Sequence, residues 1–249
     1  MIFYFYSCGG QSINLENDLT PYFDKAMEYY NRGKFVRAKD EFDYIILVDP
    51  GSRIANEAQY YKGESLFQLK EYNEAWNSLD RFIRFSDDIE KIEIARYRLC
   101  ECAINLSNIY QRDQKDTRKA LEHLQMFIDD FPKSQFKNKA EISIKELRQK
   151  LARKDYEAGR LYLKLEEYES ALIYFRLVLS TYYDTDYADE ARIGIIFTHI
   201  LKNNWGKAMN YFKAEEERFN DIDNYLHAQS LLENTKNGLK LAHYYQLYK

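Results

Sequence analysis

The residues that could bind a metal or act as nucleophiles are few and far apart in the sequence. The chain has 249 residues, with three cysteines and four histidines. Cys100 and Cys102 lie two positions apart in a helical stretch, so their side chains point about 200° apart around the axis. Both are predicted to be small buried hydrophobes. The histidines are scattered, at His123, His199, His227 and His243.

Sequence motifs for catalysis are also missing. The chain has no phosphate-binding GxxxxGK[ST], no dinucleotide-binding GxGxxG, no metalloprotease HExxH and no hydrolase GxSxG. The acidic run Glu215 to Glu217 is expected to be a solvated helix face. The sequence therefore predicts a non-enzymatic protein with no metal and no cofactor.

Cys8 differs from the other cysteines in its surroundings. An apolar stretch, MIFYFYS, precedes it, and small or polar residues follow. A small residue such as Ser7 before a cysteine resembles the end of a bacterial lipoprotein signal peptide, where the cysteine becomes lipidated. The stretch lacks a basic start and is short for a signal core. Two interpretations stay open: Cys8 is a lipid attachment site, or it is a chance cysteine in an ordinary N-terminus.

Composition favours helices, argues against nucleic acid as a partner and offers no membrane-spanning helix. Glycine and proline number only 9 and 3, whereas tyrosine and phenylalanine number 23 and 15. Few breakers favour long helices, and many aromatics favour helix packing or a binding surface. Lys and Arg total 36 against 40 Asp and Glu, so no basic field favours nucleic acid. No apolar run is long enough for a membrane span.

A repeated pair of helices explains the pattern of alanines and aromatics. In a tetratricopeptide repeat, the second helix carries a small residue followed by an aromatic or apolar residue four positions later. Five such anchors occur, at Ala38, Ala75, Ala120, Ala171 and Ala208, followed by Phe42, Leu79, Leu124, Phe175 and Phe212. Apolar residues around each anchor follow the helical period. The sequence predicts an all-α, tetratricopeptide-type array of about five irregular repeats forming an elongated solenoid.

The repeats are not evenly spaced. The anchors lie 37, 45, 51 and 37 residues apart, against a standard period of 34. Extra length falls in a polar loop at 107–117 and in a long helix at about 135–160. The predicted organisation is therefore a signal remnant and flexible tether at 1–19, repeats one to three at 20–134, a connecting helix at 135–160, and repeats four and five with a terminal helix at 161–249.

The first helices of repeats one and two carry a candidate peptide-binding groove. Counting from the anchor alanines, the positions that face the concave surface are Phe23, Met27 and Tyr30 in repeat one and Tyr60, Glu64, Phe67 and Gln68 in repeat two. One interpretation is that these side chains pack against each other or a neighbouring loop. The other is that they receive a peptide. The apolar character of Phe23, Met27 and Tyr30 argues against the basic carboxylate clamp of cytosolic co-chaperone adaptors.

The segment from Asp116 to Ala191 resembles the outer-membrane assembly lipoprotein BamD family. That family has an A…FxxFIxxFPxS unit, a long helix ending in LAxKE, and a further repeat ending in YPDTxYxxEA. The matching residues are Ala120, Phe127-Ile128, Phe131-Pro132-Lys133-Ser134, Leu151-Ala152-Arg153-Lys154-Asp155, Tyr162-Leu163-Lys164, Tyr168, Ala171, Phe175 and Asp184-Thr185. The irregular spacing also matches, and the likeness extends over about 20–220. Tyr183 departs from the family's proline, and the chain after about 215 has no clear counterpart.

The resemblance implies a lipoprotein at the periplasmic face of the outer membrane, anchored through Cys8. It implies three sets of partners: the barrel-forming subunit of the β-barrel assembly machine, companion lipoproteins, and unfolded outer-membrane proteins. An aromatic-ended C-terminal strand of such a substrate would suit the predicted groove. The alternatives are another periplasmic tetratricopeptide adaptor, in envelope division or pilus assembly, and a cytosolic co-chaperone adaptor.

Overall fold

The computed structural model describes residues 18–236. Cys8 and most of the predicted tether lie outside this range. The described helices are α1 Thr20–Asn31, α2 Phe35–Val48, α3 Arg53–Gln68, α4 Tyr72–Phe85, α5 Ile89–Leu106, α6 Lys115–Asp130, α7 Lys137–Lys164, α8 Tyr168–Thr181, α9 Tyr187–Leu201, α10 Trp205–Glu215 and α11 Ile222–Lys236, with a 3-10 turn at Glu216–Arg218. Between residues 18 and 236 every regular element is helical. None of these helices is long and apolar enough to cross a membrane.

Successive helices form five pairs built around the predicted anchors. All five anchor alanines are fully buried, and so are the apolar residues four positions later, apart from Phe212, which retains slight exposure. Helices α1 and α2, α3 and α4, α7 and α8, and α9 and α10 pack directly on each other. In the remaining pair, Tyr97 of α5 contacts Phe127 of α6, with ring centroids 5.4 Å apart. The all-α, tetratricopeptide-type fold class is therefore confirmed.

Four of the five pairs share one turn. Gly33, Lys70, Glu166 and Asn203 adopt left-handed backbone with φ of 70°, 63°, 63° and 54°. Each lies five positions before its anchor alanine. In each turn, the backbone N–H of the residue after the left-handed one donates to the carbonyl oxygen five positions earlier. Lys34 N, for example, donates to Tyr29 O at 2.9 Å. These are the bonds of a Schellman cap, which ends the first helix and starts the return.

The third pair replaces this turn with a loop at 107–114, where the sequence predicts one at 107–117. Gln114 is buried and its Nε2 donates to the carbonyl oxygens of Ile109 and Arg112 at 2.8 and 3.0 Å. Its Oε1 accepts from Thr117 Oγ1 at 2.8 Å. The Arg153 guanidinium of α7 lies 4.2 Å from the Tyr110 ring centroid. The loop is therefore closed by its own glutamine and packed on α7.

The chain forms two compact bodies that divide between Ala95 and Arg96. The predicted boundaries at 134 and 160 both fall within the C-terminal body. The helix expected at 135–160 spans Lys137–Lys164 and packs against α6, α8 and α9. It buries Leu147, Leu151 and Tyr156, so it is a core element of its body. Its predicted role in coupling two halves of the array remains a prediction.

The last described helices complete the core of the C-terminal body. Helix α9 is enclosed, and residues 191–198 are all buried. Helix α11 packs on both α9 and α10 and adds the buried residues Ala228, Leu231 and Leu232 to the same cluster. The indole nitrogen of Trp205 donates to Leu232 O at 3.4 Å. The segment beyond residue 215, which has no clear counterpart in the family pattern, therefore packs over repeat five as a cap.

Candidate peptide-binding groove

Helix α1 presents Phe23, Met27 and Tyr30 along one stripe. Spacings of four and three residues bring them to the same side of the helix. All three are partly buried. The Phe23 and Tyr30 rings lie 6.0 and 5.4 Å from the Tyr61 ring of α3. The α1 stripe thus faces α3 across Tyr61, whose ring also stacks on Phe42 at 5.9 Å.

The predicted residues of α3 differ in how accessible they are. Tyr60 and Glu64 are only 9% and 5% exposed. The Tyr60 ring packs on Phe82 of α4 at 5.1 Å, and Phe67 packs on Tyr72 at 5.5 Å. Phe67 is partly buried and Gln68 is exposed. Tyr60 and Glu64 therefore lie beneath the surface, whereas Phe67 and Gln68 reach it. As ligand-binding residues, all seven remain predictions.

Three residues missing from the predicted set join this region. Tyr61 lies between the α1 and α3 aromatics. Lys91 of α5 pairs with Glu57 of α3, with Nζ and Oε2 2.5 Å apart. The Lys91 ammonium also lies 6.0 and 5.9 Å from the ring centroids of Tyr60 and Tyr61. Counting from the anchor alanines selects Tyr60 and passes over its neighbour Tyr61. It selects no residue of α5, because the turn before α5 is irregular. The tyrosine doublet was the available signal.

Two opposing effects set the pKa of Lys91. Burial disfavours the ammonium, but the hydrogen bond and charge of Glu57 outweigh it, so the pKa of Lys91 is raised above its ordinary value. The lysine is therefore charged at neutral pH and neutralised by its partner. The surface around Tyr61 therefore combines aromatic rings with an ion pair that carries no net charge. No group of three or more metal-binding side chains occurs within residues 18–236.

The sequence of the chain matches the model of a known protein family. The model described as YfiO, outer membrane lipoprotein, matches residues 16–199. The chain belongs to this family. The match covers both helices of the groove and the long helix α7.

Named relatives extend the comparison. The chain is 25% identical over 215 residues to "Outer membrane protein assembly factor BamD" of Rickettsia prowazekii, covering 84% of this chain and 86% of that protein. It is also 25% identical over 170 residues to the protein of the same name from Caulobacter vibrioides, covering 68% and 56%. Among solved structures, the crystal structure of MamA protein aligns with 90% of this chain and 97% of its own at 18% identity, with a TM-score of 0.35. The family assignment rests on the sequence matches.

Proposed function

We propose that this YfiO-family chain is a non-enzymatic scaffold and receptor in the assembly of outer-membrane proteins. The observation that carries the proposal is the family match over residues 16–199, together with two relatives named as assembly factors. Its partners would be the barrel-forming subunit of the assembly machine and companion lipoproteins. Its substrates would be unfolded outer-membrane proteins at the periplasmic face.

The groove between α1 and α3 supports the receptor part of the proposal. An unfolded barrel protein offers extended segments with alternating apolar side chains and an aromatic end. Partly buried rings on two neighbouring helices give such a segment apolar contact with little loss of side-chain freedom. As the family resemblance suggests, docking to the barrel-forming subunit would use repeats four and five. The groove would thus be free for substrate while the chain is docked.

A pull-down tests the proposal as a whole. The tagged full chain is isolated from an envelope fraction in mild detergent, and the co-purifying proteins are identified by mass spectrometry. A barrel-forming outer-membrane assembly protein among them, in near-stoichiometric amount, is the expected result. Recovery of division or pilus proteins instead would favour the adaptor alternative and contradict the proposal.

Anchoring is predicted to depend on Cys8. Cys8→Ser should release the full chain from washed membranes into the soluble fraction without changing its thermal unfolding. The wild type should carry acyl mass on the peptide containing Cys8. Cys102→Ala is the control, because Cys102 is buried and should not affect membrane association. Retention of Cys8→Ser on washed membranes, with no acyl mass on the wild type, would contradict the prediction.

Peptide binding is predicted to depend on the accessible groove residues. Tyr60 is unsuitable for the test because its ring belongs to the packing around Phe82. Met27→Ser combined with Phe67→Ser should lower the affinity for an aromatic-ended C-terminal peptide by roughly tenfold or more. Truncating an anchor residue typically costs about 2 kcal/mol, and about 1.4 kcal/mol is one decade. Titration with a fluorescent peptide provides the measurement.

The control for peptide binding is Leu161→Ser with Leu165→Ser, two exposed leucines of the C-terminal body. That variant should bind the peptide like the wild type. Co-purification of the barrel-forming subunit should survive in the Met27 and Phe67 variant. Unchanged peptide affinity in that variant, with an unchanged melting curve, would exclude this groove as the binding site.

A further inference from the structure

The N-terminal body exposes large apolar side chains where its helices end. Leu47, at the end of α2, is 81% exposed; Phe85, at the end of α4, is 73% exposed; and Ile89, at the start of α5, is 74% exposed. Tyr22 and Tyr44 are also exposed, and their rings lie 4.9 Å apart. We call Tyr22, Tyr44, Leu47, Phe85 and Ile89 the apolar edge. Large exposed apolar side chains that lie near one another mark a candidate contact surface.

These five residues come together because paired helices run antiparallel. The start of α1 meets the end of α2, as the Tyr22–Tyr44 contact shows. The end of α2 and the end of α4 share one groove, which has a volume of about 650 Å³ and is lined by Ile46 and Phe85 among others. The α4–α5 turn, Ser86 to Asp88, lines the same groove. The residues of the apolar edge therefore lie at the same end of the paired helices of the N-terminal body.

Arginines surround the groove at this edge. Arg53, Arg81 and Arg84 line it and are all exposed. Arg84 pairs with Asp80 at 2.7 Å, and Glu57 pairs with Lys91. The three arginines share the lining with three acidic residues, Glu57, Asp87 and Asp88, so the net charge of the lining is small. Large apolar groups with arginines between them are the side chains that enter a lipid headgroup layer.

The position of Cys8 in the chain selects the occupant. Thr20, the first residue of α1, follows Cys8 by twelve positions. Twelve residues span at most about 40 Å when fully extended. Helix α1 begins at the apolar edge, two residues before Tyr22. A lipid on Cys8 would therefore keep the start of α1, and with it the apolar edge, within about 40 Å of the bilayer.

We propose that the apolar edge rests on the membrane, with Leu47, Phe85 and Ile89 among the lipid headgroups. The arginines would lie beside lipid phosphates, and the two tyrosines at the level of the headgroups, where tyrosine is enriched. This inference rests on the proposed anchoring through Cys8. It adds that the folded N-terminal body, and not the lipid alone, contacts the membrane. The contact orients α1 and α3 with respect to the bilayer.

Vesicle flotation of the unlipidated chain tests this contact. The full chain carrying Cys8→Ser is mixed with vesicles of phosphatidylethanolamine and phosphatidylglycerol over a range of lipid concentrations. We expect a measurable fraction of this chain to float with the vesicles. The partition coefficient should fall by roughly tenfold or more when Leu47→Ser and Phe85→Ser are added. Adding Leu165→Ser and Ile173→Ser instead, two comparably exposed residues of the C-terminal body, should leave the partition unchanged.

Three outcomes would overturn the inference. One is no partition of the Cys8→Ser chain at any lipid concentration. Another is equal loss in the edge variant and the control variant. The third is unchanged partition of the edge variant together with loss of a co-purifying envelope protein, which would make the edge a protein contact. Because no acyl chain is present in these samples, failure here is distinct from failure of Cys8 lipidation, which the acyl mass of the wild type reports.

Discussion

Replacing Asp189 with alanine should lower the free energy of unfolding of the C-terminal body by about 3–5 kcal/mol. Asp189 and Arg192, on α9, are only 1% and 6% exposed. Their side chains pair at 2.9 Å, and Arg192 also reaches Glu215 of α10 at 3.3 Å. Removing the aspartate leaves the guanidinium buried with one partner fewer, and that is the costly way to break a buried pair.

Asp189 also holds the segment that follows α10. Its Oδ2 accepts the backbone N–H groups of Asn220 and Asp221 at 2.8 and 2.9 Å. Those two residues lie between the 3-10 turn and α11. Loss of the carboxylate would leave both donors unsatisfied and release the start of α11. We therefore expect α11 to exchange its amide hydrogens faster in Asp189→Ala than the other helices of that body.

Two variants make the Asp189 prediction specific. Glu169→Ala removes the partner of Lys202 in an exposed pair and should leave the unfolding midpoint nearly unchanged. Asp189→Leu with Arg192→Met removes both charges and should recover part of the loss, since a buried pair can be replaced by apolar groups at small net cost. Chemical denaturation of each variant provides the measurement. A loss below about 1 kcal/mol for Asp189→Ala would contradict this account.

The anchor alanines could be predicted because helix pairs bring small residues into close contact at a fixed place. Ala38 and Ala171 are at the positions that sequence counting gives, and both are fully buried. The turns before them could be predicted only in part. Gly33 is a glycine, but Lys70 and Glu166 adopt the same left-handed backbone without a residue type that favours it. Their conformation is imposed by the packed helices on either side.

The surroundings of the predicted groove residues depend on more than their place in the repeat. Counting from an anchor gives the angle of a side chain around its helix, and the structure places Phe23 and Tyr30 against Tyr61 of α3. It does not give what covers that side chain. Tyr60 is buried because Phe82 packs against it from α4, while Lys91 lies over its ring. Contacts between residues far apart in sequence decide burial, and they depend on turn lengths that vary between repeats.

Helix α11 shows a different limit. Its buried residues, Ala228, Leu231 and Leu232, have the helical spacing, and Ala228 with Leu232 even repeats the spacing of an anchor pair. However, α11 follows the second helix of repeat five, where the repeat pattern does not place an anchor. What fixes its place is the Asp189 carboxylate and the contact between Trp205 and Leu232. Neither can be read from periodicity.

Phe175 should be the residue of α8 that is least tolerant of truncation. Its ring is fully buried between two glycines on different helices. A Cβ placed on Gly159 of α7, or on Gly194 of α9, would lie 2.7 Å from an atom of that ring. The ring thus fills the space that both glycines leave open. We expect Phe175→Ala to cost about 3–5 kcal/mol, as for other buried phenylalanines.

Replacing the two glycines with alanine gives the sharper test, because helix propensity and packing predict stability changes of opposite sign. Alanine favours a helix interior over glycine by about 1 kcal/mol, yet Gly159→Ala and Gly194→Ala should each destabilise the C-terminal body by about 1–3 kcal/mol through overpacking. Gly206→Ala is the matched control, since a Cβ there meets nothing within 4 Å, and it should be neutral or stabilising. Combining Gly159→Ala with Phe175→Leu should reduce the cost of the alanine, because the smaller side chain vacates the contact. Thermal unfolding of these four variants, with Phe175→Leu alone as the reference for the double variant, is the measurement. A stabilising Gly159→Ala would mean that the ring moves aside freely and that the close approach of α7 and α8 is not what specifies glycine there.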